Sequence, residues 1–468
     1  MTNQVTHEQT AYSGQTTSNE RMSSWKERLC TFLWSLTILT LPWQTRWFHD
    51  ASLGGWSWEQ GRWSVYASWF LIAATVFAGL AFRGGDLKRS LRRDAKKTLV
   101  MLVFGLLGCN LLALLLDGDF SQRIVVNAQW WIQVILLGSF AWVLWRNSVK
   151  ATSVMRVFVI SLLPEVFLGL VQFAAQVVLP MKWLGIAAQD PRLPGVAVIE
   201  YSIYRYLRIY GGFPHPNIFG AWLAVGLVIA IYLAAQAQTK IRVVLWSLCS
   251  ALISVTLLLT FARAAWIAAV IGILVLLFGM RTRRPNVGVR FIAPDQGMVE
   301  FQYALVALVC SALLTGSVAY MQRHLLLTRV SSSGRIETKS IDERAQSYAD
   351  GLRLFLAHPL VGAGPNAELL DLYRLNVAHA QVPATQSLAE PLQPPHNVFI
   401  LYIDAFGVMG LALCLFVLFR LRSTVGTWLY AHREAVAMLC ALGLFDHYLF
   451  SSWAGETLCV LALYCTLF

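Results

Sequence analysis

The stretch Asn217-Ile-Phe-Gly-Ala-Trp-Leu-Ala-Val-Gly-Leu-Val-Ile-Ala-Ile-Tyr-Leu-Ala-Ala-Gln236 holds no charged residue. About 20 apolar residues are what a helix needs to cross the hydrocarbon of a bilayer, where each backbone N–H and C=O must find its partner within the segment. The stretch therefore reads as a membrane-spanning helix, with Asn217 placed to cap it and Pro216 fixing the chain that enters. Comparable apolar runs lie near 30–44, 64–82, 98–116, 124–145, 157–180, 243–261, 264–280, 299–320, 397–419, 435–450 and 453–468. The pattern predicts an all-α polytopic membrane protein of about twelve transmembrane helices.

Composition agrees. Of 468 residues, 57% are hydrophobic and 13% charged, and the mean hydropathy is +0.57. Soluble chains carry roughly 45–50% apolar and 25% charged residues. The net charge of +12 comes with no basic patch interleaved with aromatics, so it points to membrane topology and anionic lipids rather than to nucleic acid. The cysteines, at 30, 109, 249, 310, 414, 440, 459 and 465, form no CxxC or CxxH spacing, which argues against a zinc site or disulfide framework. No GxxxxGK[ST] loop suggests ATP-driven work.

Lysine and arginine in short loops mark the cytoplasmic side. Arg21, Lys26 and Arg28 lie on that side. So do the cluster from Arg83 to Lys97, then Arg146, Lys150 and Arg156, then Lys240 and Arg242, then Arg281 to Arg290, and then Arg420, Arg422 and Arg433. Both termini are expected in the cytoplasm. The division follows: a polar tail (1–29) before an uncleaved first span, helices one to nine (30–320) with an outer loop at 181–214, a large helical outer loop (321–396), and helices ten to twelve (397–468). Trp43, Trp47, Trp56, Trp58 and Trp63 crowd the first outer loop and read as an interfacial belt.

The loop at 321–396 has its own pattern. Ser340 and Glu343 fit a capping box, and Ala345, Tyr348, Leu352, Phe355 and Leu356 form one stripe of the helix that follows. Pro359, Gly362 and Gly364 end it, and a second helix, from Ala367 to about Val377, follows Asn366 as a cap. Pro383, Pro391, Pro394 and Pro395 then hold the chain extended up to His396, expected in the first turn of the next span. The positive end of a helix disfavours imidazolium, and neutral imidazole can take a proton from a hydroxyl. The alternative is a hydrogen-bonding histidine without chemistry.

Arg263, in Leu259-Thr-Phe-Ala-Arg-Ala-Ala-Trp266, sits between two apolar helices. At such depth an arginine costs about 2.5–3.5 kcal/mol unless it snorkels or meets an anion. Arg205 and Arg208 precede Pro214-His-Pro-Asn217, in which His215 reads as a turn histidine or a second titratable group. Guanidinium forks match phosphate oxygens, so these cations beside His396 suit a lipid-linked phosphate or diphosphate. No DxD-like pair offers a divalent-cation site, and no cofactor is expected.

Four segments in order resemble the O-antigen ligase and Wzy-type polymerase superfamily of bacterial envelope glycosyltransferases. They are Arg208-Ile-Tyr-Gly-Gly-Phe-Pro-His-Pro-Asn217; Thr260-Phe-Ala-Arg-Ala-Ala-Trp266, with Ala262 at the family's usual serine; the stretch from Arg344 to His358-Pro-Leu-Val-Gly-Ala-Gly-Pro365, with Tyr348 where a tryptophan is common; and Pro395-His-Asn397. The resemblance implies a GT-C-like fold and an inverting, metal-independent transfer from an undecaprenyl-diphosphate-linked glycan to an acceptor hydroxyl. By position it makes His396 the general base and Arg208, Arg263 and Arg344 the diphosphate ligands, with Arg205, His215 and Asn397 as further candidates. Lipid A–core as acceptor defines a ligase; a growing glycan defines a polymerase. The competing reading from another class is a transporter or flippase, against which stand the outer helical loop and the lack of paired, Gly- or Pro-broken helices.

Overall fold

A computed structural model describes residues 25–81, 93–117, 120–282, 294–331, 335–380 and 392–465. The tail before Trp25, the basic residues at 83–92, Arg283, Arg284 and Arg290, and Pro383 and Pro391 lie outside them.

Every apolar run falls on a helix. The first half contains α1 (25–40), α2 (Ala67–Ala81), α3 (Arg93–Asp117), α4 (Phe120–Arg146) and α5 (Ala151–Ala175). Then come α6 (Pro216–Ala235), α7 (Lys240–Leu259), α8 (Arg263–Thr282) and α9 (Pro294–Met321). The segment expected as the large loop, 321–396, contains α10 (Arg323–Ser331), α11 (Arg335–Ala357) and α12 (Glu368–Ala380), and then come α13 (Val398–Arg420), α14 (Arg422–Ala431), α15 (Arg433–Phe445), α16 (Tyr448–Ser451) and α17 (Trp453–Cys465). The chain is thus an all-α polytopic membrane protein. Of the described helices, seven are long and apolar enough to cross a membrane, α4 to α9 and α13. The run expected as one span at 435–450 is two helices, because the polar pair Asp446-His447 turns the chain between α15 and α16.

At the centre lies α6, buried along nearly its whole length. Phe158 of α5 stacks on its Trp222 at 5.4 Å, and the Trp222 indole donates to the Ala454 carbonyl of α17 (2.9 Å). A side chain at Gly220 would meet Ala262 Cβ at 2.9 Å, so glycine lets α6 approach the α7–α8 turn.

Helix α13 is broken at Gly407, whose φ of 62° and ψ of −166° are not helical. The segment from Pro359 to Gly364 lies alongside and repairs the gap. Ala363 N donates to Asp404 O (2.7 Å), Gly364 N to Ala405 O (3.0 Å), Val408 N to Pro359 O (2.9 Å) and Met409 N to Leu360 O (3.0 Å). Non-helical backbone at membrane depth is tolerated where protein supplies such partners. No matching break in a second half accompanies it among the described residues, so it does not make the paired architecture of a transporter. The 321–396 segment is also clamped from α4: buried Arg123 pairs with Asp371 of α12 and donates to Ala363 O (2.5 Å).

Three expectations are corrected. Helix α11 already runs from Arg335, so Ser340 lies inside it and does not open it. Asn366 does not cap α12 with its side chain; its backbone, at a φ of 63°, donates to Glu368 Oε1 (3.2 Å). The residue capping α6 is His215, not Asn217. The outer loops also contain strands that the apolar-run pattern does not signal. Ribbons pair β1 (Arg46–His49) with β4 (Trp63–Tyr66), β2 (Ser52–Leu53) with β3 (Trp56–Ser57), and β5 (Val198–Tyr201) with β6 (Tyr204–Leu207). Gly54 and Gly55, both at positive φ, make the tight turn between β2 and β3.

Candidate active site

The loop before α6 is held from α5. Gln172 Oε1 accepts from Tyr210 N (2.9 Å) and Gly211 N (3.0 Å), its Nε2 donates to Gly211 O (2.8 Å), and Glu165 Oε2 accepts from Gly212 N (2.5 Å). So anchored, the loop delivers Arg208 inward. Its Nε donates to Thr260 O (2.8 Å) in the α7–α8 turn, and its Nη2 donates to Asn217 Oδ1 (2.6 Å). Arg329 of α10 donates from Nε to the next carbonyl, Phe261 O (3.1 Å). The sequence places Arg208 and Arg263 far apart, and the fold brings their segments to one turn, with Arg329 beside them.

Asn217 carries the network onward. Its Nδ2 donates to Asp446 Oδ2 (2.8 Å), while Asp446 Oδ1 accepts from His447 N (2.9 Å) and lies 3.6 Å from His396 Nδ1. The last separation is that of an ion pair, just longer than a hydrogen bond. His396 precedes α13 rather than lying in its first turn, because Asn397 is the N-cap and accepts from Phe399 N (2.9 Å) and Ile400 N (3.2 Å). Helix α11 supports it from the side: Ser347 Oγ accepts from His396 N (3.3 Å), and the Tyr348 hydroxyl reaches His396 O at 3.5 Å. The other ring nitrogen, Nε2, is 3.0 Å from Gln393 Oε1.

His396, His215, Asn217, Asp446 and His447 line a cavity of about 390 Å³ whose far wall includes Trp56, Trp58, Glu59 and Gln60 of the first outer loop. Trp58 is buried against Leu354, Leu369 and Leu370, unlike the other four tryptophans of that loop, which are exposed. Arg208, Arg263 and Arg344 are not among the residues lining this cavity. Arg344 is half-buried on α11, the helix that supports His396, and Arg205 pairs with Glu200 (3.7 Å) in the β5–β6 ribbon.

Electrostatics follow from depth. Burial works against charge on Asp446, yet the His396 ring 3.6 Å away and the nearby His447 and His215 hold its carboxyl well below the usual carboxylate range. His215 is exposed to the cavity, with protein crowding it on the other sides. Desolvation first, then the positive Arg208, push its imidazole down to about 3. Desolvation also takes His447 down to about 4, although Asp446 opposes it. The site thus pairs one ionised carboxylate with the neutral imidazoles of His215 and His447. One atom each from His396, Asp446 and His447 lie within 4.8 Å of one another, so this trio is also the place where a divalent cation could be held.

Sequence reasoning missed Asp446, His447, Gln393 and Arg329. A signal existed for the first two, since ionisable side chains inside an apolar run are functional candidates by default.

A buried carboxylate thus stands behind a cavity-facing imidazole in a multi-pass helical domain. Residues 248–415 match the family model described as O-Antigen ligase, a span that contains Arg263, Arg344 and His396. The match supports placing the chain in the O-antigen ligase and Wzy-type polymerase superfamily, of membrane glycosyltransferase type. No curated protein matches the chain.

Proposed function

We propose that the protein transfers a glycan from undecaprenyl diphosphate to an acceptor hydroxyl at the outer face of the bacterial inner membrane, with inversion and without a metal ion. The acceptor we favour is lipid A–core, as for a ligase; a growing glycan, as for a polymerase, would use the same donor site. The observation that carries this reading is the juxtaposition of His396 Nδ1 with the ionised Asp446 at 3.6 Å in a cavity wall.

The contact of Nε2 with the Gln393 amide oxygen is one for a proton on Nε2; base catalysis uses the other tautomer, in which the proton lies on Nδ1 toward Asp446 and Nε2 presents a lone pair to the cavity. An acceptor hydroxyl there displaces the Gln393 amide oxygen. Its oxygen attacks the anomeric carbon, its proton passes to Nε2, and the bond from that carbon to the diphosphate oxygen breaks on the opposite face. Asp446 stabilises the imidazolium as it forms, the role a buried carboxylate plays behind a base histidine. Arg208, Arg263 and Arg344 are the residues we assign to the departing diphosphate, where fixed cations lower the energy of the developing charge. Arg208 has a second task, since its bond to Asn217 also fixes Asp446.

The test is transfer by purified protein in proteoliposomes, with undecaprenyl-diphosphate glycan as donor and lipid A–core as acceptor. General-base catalysis contributes about 10²–10⁴-fold, so His396→Ala should slow transfer by that factor while donor binding persists. EDTA should leave the wild-type rate intact. Normal transfer by His396→Ala would remove the base assignment. A strict divalent-cation requirement would instead give the His396, Asp446 and His447 trio to a metal.

A further inference from the structure

A second cavity, of about 440 Å³, adjoins the first and shares Glu59, Gln60, His215, Ile218, His447 and Tyr448 with it. It runs from the first outer ribbon to α4. We propose that this cavity is a saccharide subsite, holding one sugar of a reacting glycan beside His396. The proposal rests on the glycosyl-transfer reading and adds a place to it.

Three observations favour a neutral, hydroxyl-rich occupant over a phosphate. The charges in the wall are already paired: Glu59 lies between Arg46 (2.6 Å) and Arg62 (2.8 Å), and Arg62 also meets Asp50 (3.1 Å). Such a wall offers no unbalanced cation to a diphosphate. Neutral groups supply the rest of the polar lining, among them the amides of Gln60, Gln133 and Gln189 and the hydroxyls of Ser451 and Ser452. An amide carries both donors and an acceptor, which is what a sugar hydroxyl matches. Finally, the buried rings of Tyr66 and Trp453, stacked on each other with centroids 5.5 Å apart, border the cavity, so part of its wall is apolar, as a sugar's carbon-bound face requires.

Gln133 is the residue that asks for a ligand. It lies on the membrane-spanning α4, is 3% exposed, borders the cavity, and makes no hydrogen bond to another described residue. Its neighbour one turn earlier, Gln129, is by contrast occupied by the fold, with Oε1 accepting from Ser64 N at 2.8 Å. Its amide is open to the cavity rather than sealed in the protein, and a polar side chain that the fold leaves to a cavity at membrane depth is a candidate for ligand contact. If Gln133 were structural, replacing it by an apolar side chain of similar size would gain stability and change nothing else.

Gln133→Met separates these cases. It should insert normally and unfold at a temperature equal to or above that of the wild type. The KM of one saccharide substrate should rise about three- to tenfold, the worth of one hydrogen bond, and by more than kcat falls. A rise confined to the acceptor places the acceptor sugar in the cavity; a rise confined to the donor places the donor's first sugar there. Unchanged KM for both would overturn the subsite. Gln60→Ala, on the ribbon turn between the two cavities, is the second variant should Gln133→Met fail to insert, and the same shift is expected. Direct binding keeps the proposal independent of transfer. Free core oligosaccharide and free repeat-unit oligosaccharide are each titrated into wild type and variant, with tryptophan fluorescence as the readout. At least one should bind the wild type and bind Gln133→Met several-fold more weakly; binding of neither to the wild type would overturn the subsite even if transfer occurs.

Discussion

Helices α6 and α13 open on near-permuted tetrapeptides, Pro214-His-Pro-Asn217 and Pro394-Pro-His-Asn397, and the permutation decides which side chain is released. At α6, Pro216 takes the first helical position, where its missing N–H costs nothing. His215 thereby becomes the cap, its Nδ1 accepting from Asn217 N (3.1 Å), and Asn217 turns outward to Arg208 and Asp446. At α13 both prolines come earlier, Asn397 is the cap, and the histidine is the one set free. The two released side chains end on the two oxygens of Asp446, Asn217 on Oδ2 and His396 on Oδ1. One start supplies a rigid hydrogen-bond donor and the other the proposed base, from almost the same residues, because the place of the second proline decides which residue is the cap.

Asp446→Asn should show the largest effect on this pairing. It keeps the shape and an acceptor for Asn217 but removes the charge that stabilises imidazolium. A loss of transfer on the order of 10² is expected, at the upper end for an outer partner of an active histidine. Single-turnover transfer measures it, and a loss under threefold would show that His396 works without the carboxylate. Asn217→Ala should cost less, about tenfold, because it leaves Asp446 charged and only loosens it. Helix α6 should survive, since the cap is His215. A variant that fails to fold would instead make Asn217 a structural residue and break the comparison with His396.

Much of this was legible in the residues and some was not. The helices were, because about 20 apolar residues in a row have few other uses. His396 and Arg208 were legible from their place beside prolines and helix starts. The partnership between them was not: Asp446 lies 50 residues after His396, at a break that the apolar run around it conceals. Nor were the ribbons of the first outer loop, whose crowded tryptophans read equally well as an interfacial belt. The structure distinguishes Trp58, which packs under the 321–396 segment, from Trp47, which is 61% exposed, on a difference in partners that no local pattern encodes. Hydrophobic periodicity reports which face is buried, not what covers it.

The smallest effect tests the other half of the comparison, the histidine that caps. His215 and His447 are held neutral in the folded chain down to about 3 and about 4, whereas an unfolded imidazole titrates near ~6.5. Between those values the unfolded chain binds protons that the folded chain refuses, so stability is complete above about pH 6.5 and falls as the pH drops toward about 4. Asp446, with its folded carboxyl below the ordinary range, adds a loss of the same sign only at lower pH, where unfolded aspartate takes its proton. His215→Asn keeps a side chain that caps well, so the melting temperature at pH 7 should hold or rise, where His215→Ala should lose about 1 kcal/mol. The decline in melting temperature from pH 7 to 4 should be visibly shallower in His215→Asn, with His447 accounting for what remains. Thermal unfolding followed by tryptophan fluorescence gives both slopes. An unchanged slope would mean that the imidazole of His215 takes its proton as readily in the cavity as in water.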